Sequence, residues 1–291
     1  MSFNILKIAR THKKINRSPV TTAFLFLFIL LLGVFMGIPL VLIISNSFKP
    51  LDELWIFPPK LFPINPTLKN YSDMFYIMSD SWVPFTKYIF NTVFITAVGT
   101  AGHVILASMC AFPLAKNKFP GRNLIFEVII LALMFNGTVT AIPNYVTMAS
   151  LGWINTFFSV IVPAFAAPLG LYLMKQFMEQ IPDALLEAAR IDGASLWKTF
   201  WHIVMPMVKS AWLTLILLSV QNLWNLGATS FIFDEKLKTL AYALSQILAG
   251  GIARAGVGNA VGVIMMAVPI TIFILTQSNI IETMSTSGMK N

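Results

Sequence analysis

Six stretches of this chain are apolar for long enough to cross a bilayer, and shorter polar segments separate them. The stretches are residues 20–44, 88–114, 124–147, 156–174, 208–230 and 256–278. A spanning helix needs about 20 mainly apolar residues. In lipid every backbone N–H and C=O must find a partner within the chain, so runs of this length predict helices. The ten-residue alternating stretches of a membrane barrel are absent. The pattern therefore predicts an all-α polytopic membrane protein with six transmembrane helices. The first run exceeds the apolar core of a signal peptide, about 7–15 residues, and no small-residue cleavage site follows it. It is read as a retained helix.

The breaks in this pattern carry information. Pro163, Pro168 and Gly170 should bend or break the fourth span. Residues 45–87 hold Trp55, Phe57, Phe62, Tyr71, Phe75, Tyr76, Trp82 and Phe85. They are read as an interfacial aromatic belt with local packing, with partner contact as the alternative. TLAYALSQILAGGIARAG (239–256) has a helical pattern but is too short and polar to span, which predicts an interfacial or re-entrant helix. GxxxG occurs at Gly33–Gly37 and Gly258–Gly262, a spacing that lets helices approach closely.

The most polar break lies between the fourth and fifth spans, at 175–206: KQFMEQIPDALLEAARIDGASLWKTFWHIVMP. Pro182 and Asp183 suit the first turn of a helix, and ALLEAARI favours one. Glu187 and Arg190 are spaced to pair at i, i+3. Asp192-Gly193 is a turn signal, and Gly193 accepts a positive φ without a Cβ clash. Ser195 is a candidate N-cap for a second helix. Its apolar positions Leu196, Phe200, Ile203 and Val204 recur at helical spacing. Pro206 marks the junction with the fifth span. The prediction is a helix–turn–helix knob. Its small residues Ala188, Ala189 and Ala194 permit close approach, either by a partner or by the chain's own bundle.

Charge gives the orientation. Only 11% of residues are charged, against about 25% in soluble domains. Lys7, Arg10, Lys13, Lys14 and Arg17 precede the first span. Lys116, Lys118 and Arg122 lie between the second and third. Lys175, Arg190, Lys198 and Lys209 lie between the fourth and fifth, and Lys290 is near the end. These 13 share one side, and the other side has seven. The richer side is cytoplasmic by the positive-inside rule, which places both termini and the knob there. The net charge of +8 is thus a matter of topology, and no nucleic-acid partner is expected. The expected organisation is a cytoplasmic tail 1–19, a membrane domain 20–278 carrying the cytoplasmic segment 175–206, and a cytoplasmic tail 279–291.

Catalytic chemistry is missing from the pattern. No G-x-x-x-x-G-K-[ST] or H-E-x-x-H is present, and the single cysteine, Cys110, allows no internal disulfide and reads as a buried structural thiol. Of three histidines, only His103 lies at membrane depth, where hydrogen bonding to a neighbouring helix is the expected role. No carboxylate or basic residue lies near the middle of a span, whereas an ion-coupled carrier usually keeps one. The driving force is therefore expected from outside the membrane.

Residues 187–206 resemble the EAA signature of ABC importer permeases. Glu187, Ala188, Ala189, Gly193, Ile203 and Pro206 fit it, and Met205 replaces the usual leucine. EAARIDGAS with Phe200 is similar to the MalG-like subunits of the sugar-importing branch. So are AFPLAKNKFPGRN (111–123), SLGWINT (150–156) and the ending GMKN (288–291). The likeness covers about residues 20–291. It implies the type I ABC importer permease fold, in the bacterial cytoplasmic membrane. It also implies that Glu187, Ala188, Ala189, Asp192, Gly193, Ala194, Phe200, Ile203 and Pro206 form a coupling segment docked on an ATPase. The implied partners are two ABC ATPase subunits holding ATP and Mg²⁺, a second MalF-like permease and an extracytoplasmic sugar-binding protein, with no cofactor on this chain. Relatives often carry Trp-Asn-Asp in the fifth span, where this chain has Trp224-Asn225-Leu226. Asn222, Trp224 and Asn225 are candidates to line the sugar pathway, with helix–helix hydrogen bonding as the competing role. Asn136 and Asn144, near the outer end of the third span, have the same status. An oligosaccharide is the expected substrate. A glycerol phosphate ester would want basic groups at membrane depth. A self-sufficient channel or carrier and a membrane-embedded enzyme are the alternatives from other classes.

Overall fold

The computed structural model describes residues 18–79, 83–135 and 137–287. The chain runs through α1 (Pro19–Ser47), the single turn α2 (Leu51–Leu54), α3 (Lys69–Ser79) and α4 (Phe85–Lys116). Next come α5 (Arg122–Met134), α6 (Gly137–Ser150), α7 (Phe158–Phe165) and α8 (Pro168–Glu179). The knob is built from α9 (Asp183–Ile191), α10 (Leu196–Thr199), a π-helical turn at Phe200–Val204 and α11 (Met205–Met207). It leads into α12 (Lys209–Trp224), then α13 (Leu240–Leu248) and α14 (Ala255–Ser287). No strand occurs among the described residues.

Four membrane-length helical stretches lie at Val20–Ser47, Phe85–Lys116, Phe158–Glu179 and Ile252–Ser278, and two bent pairs bring the number to six. This matches the predicted number of spans, with corrections to their form. The third span is two helices, α5 and α6, turned by 109°. The fourth is interrupted at Ala166 and Ala167, between its prolines, as Pro163 and Pro168 require. The fifth ends at Trp224 and not at 230. Its entry from the knob is bent by 79° at Val208.

Helix α4 is the centre of the bundle and packs on α7, α8 and α12. Its small residues explain this. A Cβ on Gly99 would fall 2.5 Å from Leu223 Cδ1, and one on Gly102 would fall 2.1 Å from Phe165 Cε1. Without a hydrophobic drive between helices in lipid, close backbone approach supplies the packing energy. Helix α12 also packs on α14, and α14 receives α1, α3 and α13. Residues 240–248 are thus a helix lying on the bundle, with Leu240, Leu244 and Ile247 buried.

Helix α1 is exposed along nearly its whole length. A Cβ on Gly33 or Gly37 would meet nothing within 4 Å, so the first GxxxG makes no contact within this chain. The second does pack, with Gly258 against Leu248 and Gly262 against Ile43. The thiol of Cys110 is exposed on α4 and not buried, because Ala107, Ala111 and Ser108 take the inward positions. In the 45–87 segment Phe48 packs on Tyr71 and Phe75 on Phe85, while Trp55, Phe57, Phe62 and Tyr76 are exposed. Trp82 lies outside the described residues.

Candidate functional site

The knob takes its shape from local rules. Pro182 is the N-cap of α9 and stands one residue before its first turn. Helix α9 ends in a glycine turn with φ 75° at Gly193. The Gly193 N–H donates to Arg190 O (3.0 Å) and the Ala194 N–H to Ala189 O (2.9 Å). This is the Schellman pairing, which uses up helix-end carbonyls and turns the chain back. Ser195 caps the second helix by accepting from the Lys198 N–H at 3.3 Å. No ion pair joins Glu187 to Arg190 among the described residues, although their spacing allows one.

The coupling residues divide between two faces. Glu187, Ala188, Asp192, Gly193 and Pro206 are exposed, and Ala194 and Ile203 are half-buried. Ala189 is only 6% exposed, because it follows Leu186 by three positions and turns inward with it. Phe200 is also buried, and its ring meets Phe112, Trp197 and Trp201. Phe200 therefore holds the knob to the bundle, and Ala189 is covered rather than presented outward. Burying a phenylalanine stabilises by about 1.5–3 kcal/mol. Sequence reasoning missed the apolar part of the outward face. Ile191 is 86% exposed, and Leu196 and Trp197 are also exposed. A π-helical turn follows at Phe200–Val204, with Phe200 and Val204 buried, while Leu196 in the turn before it is exposed. A π turn of this kind is rare and is often found at functional positions.

A basic cluster fastens the knob. Lys116, the last residue of α4, donates to Asp183 Oδ1 at 2.7 Å, to Glu179 O at 3.3 Å and to Ile181 O. Arg122 lies 3.6 Å from Glu179, and Lys175 lies 2.7 Å from it. The Lys175 ammonium also sits 4.1 Å from the centre of the Phe126 ring. Lys116 holds the Asp183 carboxyl below the ordinary carboxylate range, first by its hydrogen bond and then by its charge.

The candidate pathway residues do not gather into one site. Asn136 lies outside the described residues. Asn144 is exposed on α6, and Asn222 is exposed on α12. Trp224 is buried and its indole N–H donates to Met265 O on α14 at 3.0 Å, so it joins two helices. Asn225 donates to Gln221 O in its own helix at 2.8 Å. A groove of about 920 Å³ runs between α4, α12 and α14. Its wall is apolar apart from Lys209 and the hydroxyls of Thr96 and Thr100, and those two hydroxyls have no partner. Among the described residues no set of three metal-ligating side chains exists. Nothing in the groove is arranged for bond making.

His103 is a structural pin, as a membrane histidine bonded to its neighbours should be. Its Nε2–H donates to Ala167 O at 3.2 Å, at the break in the fourth span. Its Nδ1 accepts from Ser219 on α12 at 2.8 Å. Gly170 makes room, since a Cβ there would fall 2.2 Å from Nε2.

On the other side of the bundle, residues 225–239 form an irregular turn. Asn91 donates from Nδ2 to Lys236 O and Lys238 O, both at 2.9 Å, and Thr92 accepts from the Leu240 N–H at 2.7 Å. Asn155, at φ 59°, accepts from the N–H groups of Phe233 (3.1 Å) and Asp234 (2.8 Å).

Comparison with known proteins adds the family to this geometry. The chain is 34% identical over 212 residues to Protein LplC of Bacillus subtilis, covering 72% of this chain and 70% of that one. It is 30% identical over 279 residues to the arabinooligosaccharides transport system permease protein AraQ of Halalkalibacterium halodurans, covering 91% of this chain and 94% of that one. Its fold is similar to a chain in the crystal structure of a bacterial ABC transporter that imports the acidic polysaccharide alginate. That match has a TM-score of 0.76 and 23% identity, and covers 90% of this chain and 98% of that one. Residues 103–285 match the family of binding-protein-dependent transport system inner membrane components, which holds the break at Ala167, the knob and the last two spans. This helical bundle with a projecting knob thus belongs to that family of transport permeases.

Proposed function

We propose that this chain is one of two permease subunits of an ATP-driven importer for a carbohydrate, an oligosaccharide. A second permease completes the translocation pore, two ATPase subunits grip the knob from the cytoplasm, and an extracytoplasmic binding protein delivers the sugar. Both termini lie in the cytoplasm.

The division of the knob into two faces carries this reading. Leu186, Phe200 and Val204 join it to α4 and α8, while Ile191, Ala188, Asp192 and Leu196 face out. A mixed apolar and polar surface beside a fixed core suits a partner. The sequence also has no phosphate-binding loop of its own. Closure of the ATPases would displace the knob, and α10, the π turn and α11 run directly into the fifth span. The preference for an oligosaccharide follows AraQ and the alginate transporter.

The test is binding and uptake with a defined panel: arabinotriose, diacetylchitobiose, digalacturonate and glycerol 3-phosphate. Cells with the whole transporter should import one of the sugars, and Ala188→Trp should abolish import without lowering the amount of this chain in the membrane. Import of glycerol 3-phosphate alone would move the substrate to phosphate esters. Flux through the purified chain alone, without nucleotide, would replace the reading with a self-sufficient channel or carrier.

A further inference from the structure

Lys116 makes contacts that packing alone does not require. Its side chain is 7% exposed, though it stands at the end of a helix on a polar surface. An ammonium has three N–H donors. Asp183 Oδ1, Glu179 O and Ile181 O take all three. Two of these acceptors are main-chain carbonyls where α8 ends, a place where carbonyls lack helical partners and carry the negative end of the helix dipole. The third belongs to the first residue of α9. The lysine therefore sits at the joint between α8 and α9 and reaches it from α4.

On its N-terminal side α9 is joined to the bundle through Gln180, Ile181 and Pro182 alone. Leu186 and Ala189 press the middle of α9 inward, but apolar contacts slide. A buried ammonium with three directed bonds fixes the pivot. Arg122 and Lys175 pair with Glu179 at the end of α8, and neither ion pair reaches α9 itself.

We propose that Lys116 is the positioning residue that makes α9 and the second span move as one body, so that a displacement of the knob reaches α4. This rests on the reading of the knob as the ATPase contact.

The experiment uses the complete transporter in liposomes, in a Cys110→Ser background. Spin labels at Ala184→Cys on α9 and Phe119→Cys beyond α4 report the distance between the two elements. The distance is measured without nucleotide and after trapping with ATP and vanadate. In the otherwise unaltered protein and in Lys116→Arg the distance should stay the same in both states. In Lys116→Met it should change on trapping, ATP turnover should continue, and sugar uptake per ATP should fall at least about fivefold. Rescue by arginine separates positioning by charge from simple filling of space. Where Lys116→Met assembles poorly, Lys116→Gln carries the same measurements. A constant distance with normal uptake in the neutral variants overturns the proposal. If the label on α9 ignores nucleotide when paired with one on the ATPase, the docking reading itself fails.

Discussion

The knob at residues 175–207 and the turn at 225–239 lie on opposite sides of the bundle and are held by opposite means. The knob satisfies its own main chain through two helices, a Schellman turn and a serine cap. What remains is apolar packing through Leu186 and Phe200 and one lysine at the pivot. Besides a three-residue 3₁₀ helix, an Asp234 cap on the Lys236 N–H and the Thr239 hydroxyl on Leu226 O, the turn at 225–239 leans on its surroundings. Its main-chain groups are paired by side chains of α4 and by Asn155. A self-satisfied element attached at a few points can move as a body. A turn whose backbone depends on other elements cannot move without leaving polar groups unpaired. The two sides are thus built as a lever and a clasp.

The clasp is easiest to break. Asn91→Ala removes the donor to two carbonyls and should destabilise the chain by about 2–3 kcal/mol. This is read as a lower unfolding temperature in detergent, with ATPase association retained. An unchanged temperature would mean that the clasp carries no load. The lever is next. Gly193 sits at φ 75° with open space around it, so Gly193→Val adds local strain of about 1–2 kcal/mol and no clash. Uptake should be lost, while the unfolding temperature should fall less than with Asn91→Ala. The reverse order would exchange the roles of the two regions.

The lever was legible in the sequence and the clasp was not. Ser195 and Gly193 act within three or four residues of themselves, and such signals survive in a string of letters. For Ala189 the same string left a partner and the chain's own bundle both open, and its i, i+3 relation to Leu186 was the available clue to its burial. Leu196 shares its helical spacing with the buried Phe200 and Val204 and is nonetheless exposed, a difference that spacing does not show. Asn91 bonds carbonyls 145 and 147 positions away, and Asn155 reaches 78 and 79 positions. No spacing rule connects those residues. Trp224 and Asn225 show the same limit. An indole beside an amide suggests a sugar contact, but its N–H is taken by Met265 on a helix 41 positions away. The six spans were legible because lipid leaves helices little choice, yet the apolar run 124–147 reads as continuous across the break between α5 and α6.

Two smaller tests act inside the lever. Ser195→Ala removes one cap bond and should cost about 1 kcal/mol. It should appear as faster hydrogen exchange at the Lys198 amide while the Leu186 region stays protected. Equal protection at Lys198 would remove the cap from the account. The smallest effect concerns Asp183, which is highly exposed while its partner Lys116 is not. Lys116 lowers the Asp183 pKa in the folded chain. A lowered folded value means that the stabilisation is complete above the unfolded value, about 3.9, and is lost as pH falls through the lowered one. The unfolding-temperature difference between the unaltered chain and Asp183→Asn should therefore be constant from neutral pH down to about pH 5 and shrink only in stronger acid. A difference that already fades near pH 6 would show that a group other than the Asp183 carboxyl governs this joint. The lever's pivot would then depend on pH in the physiological range, unlike the amide and hydroxyl bonds that Asn91, Thr92 and Asn155 make in the clasp.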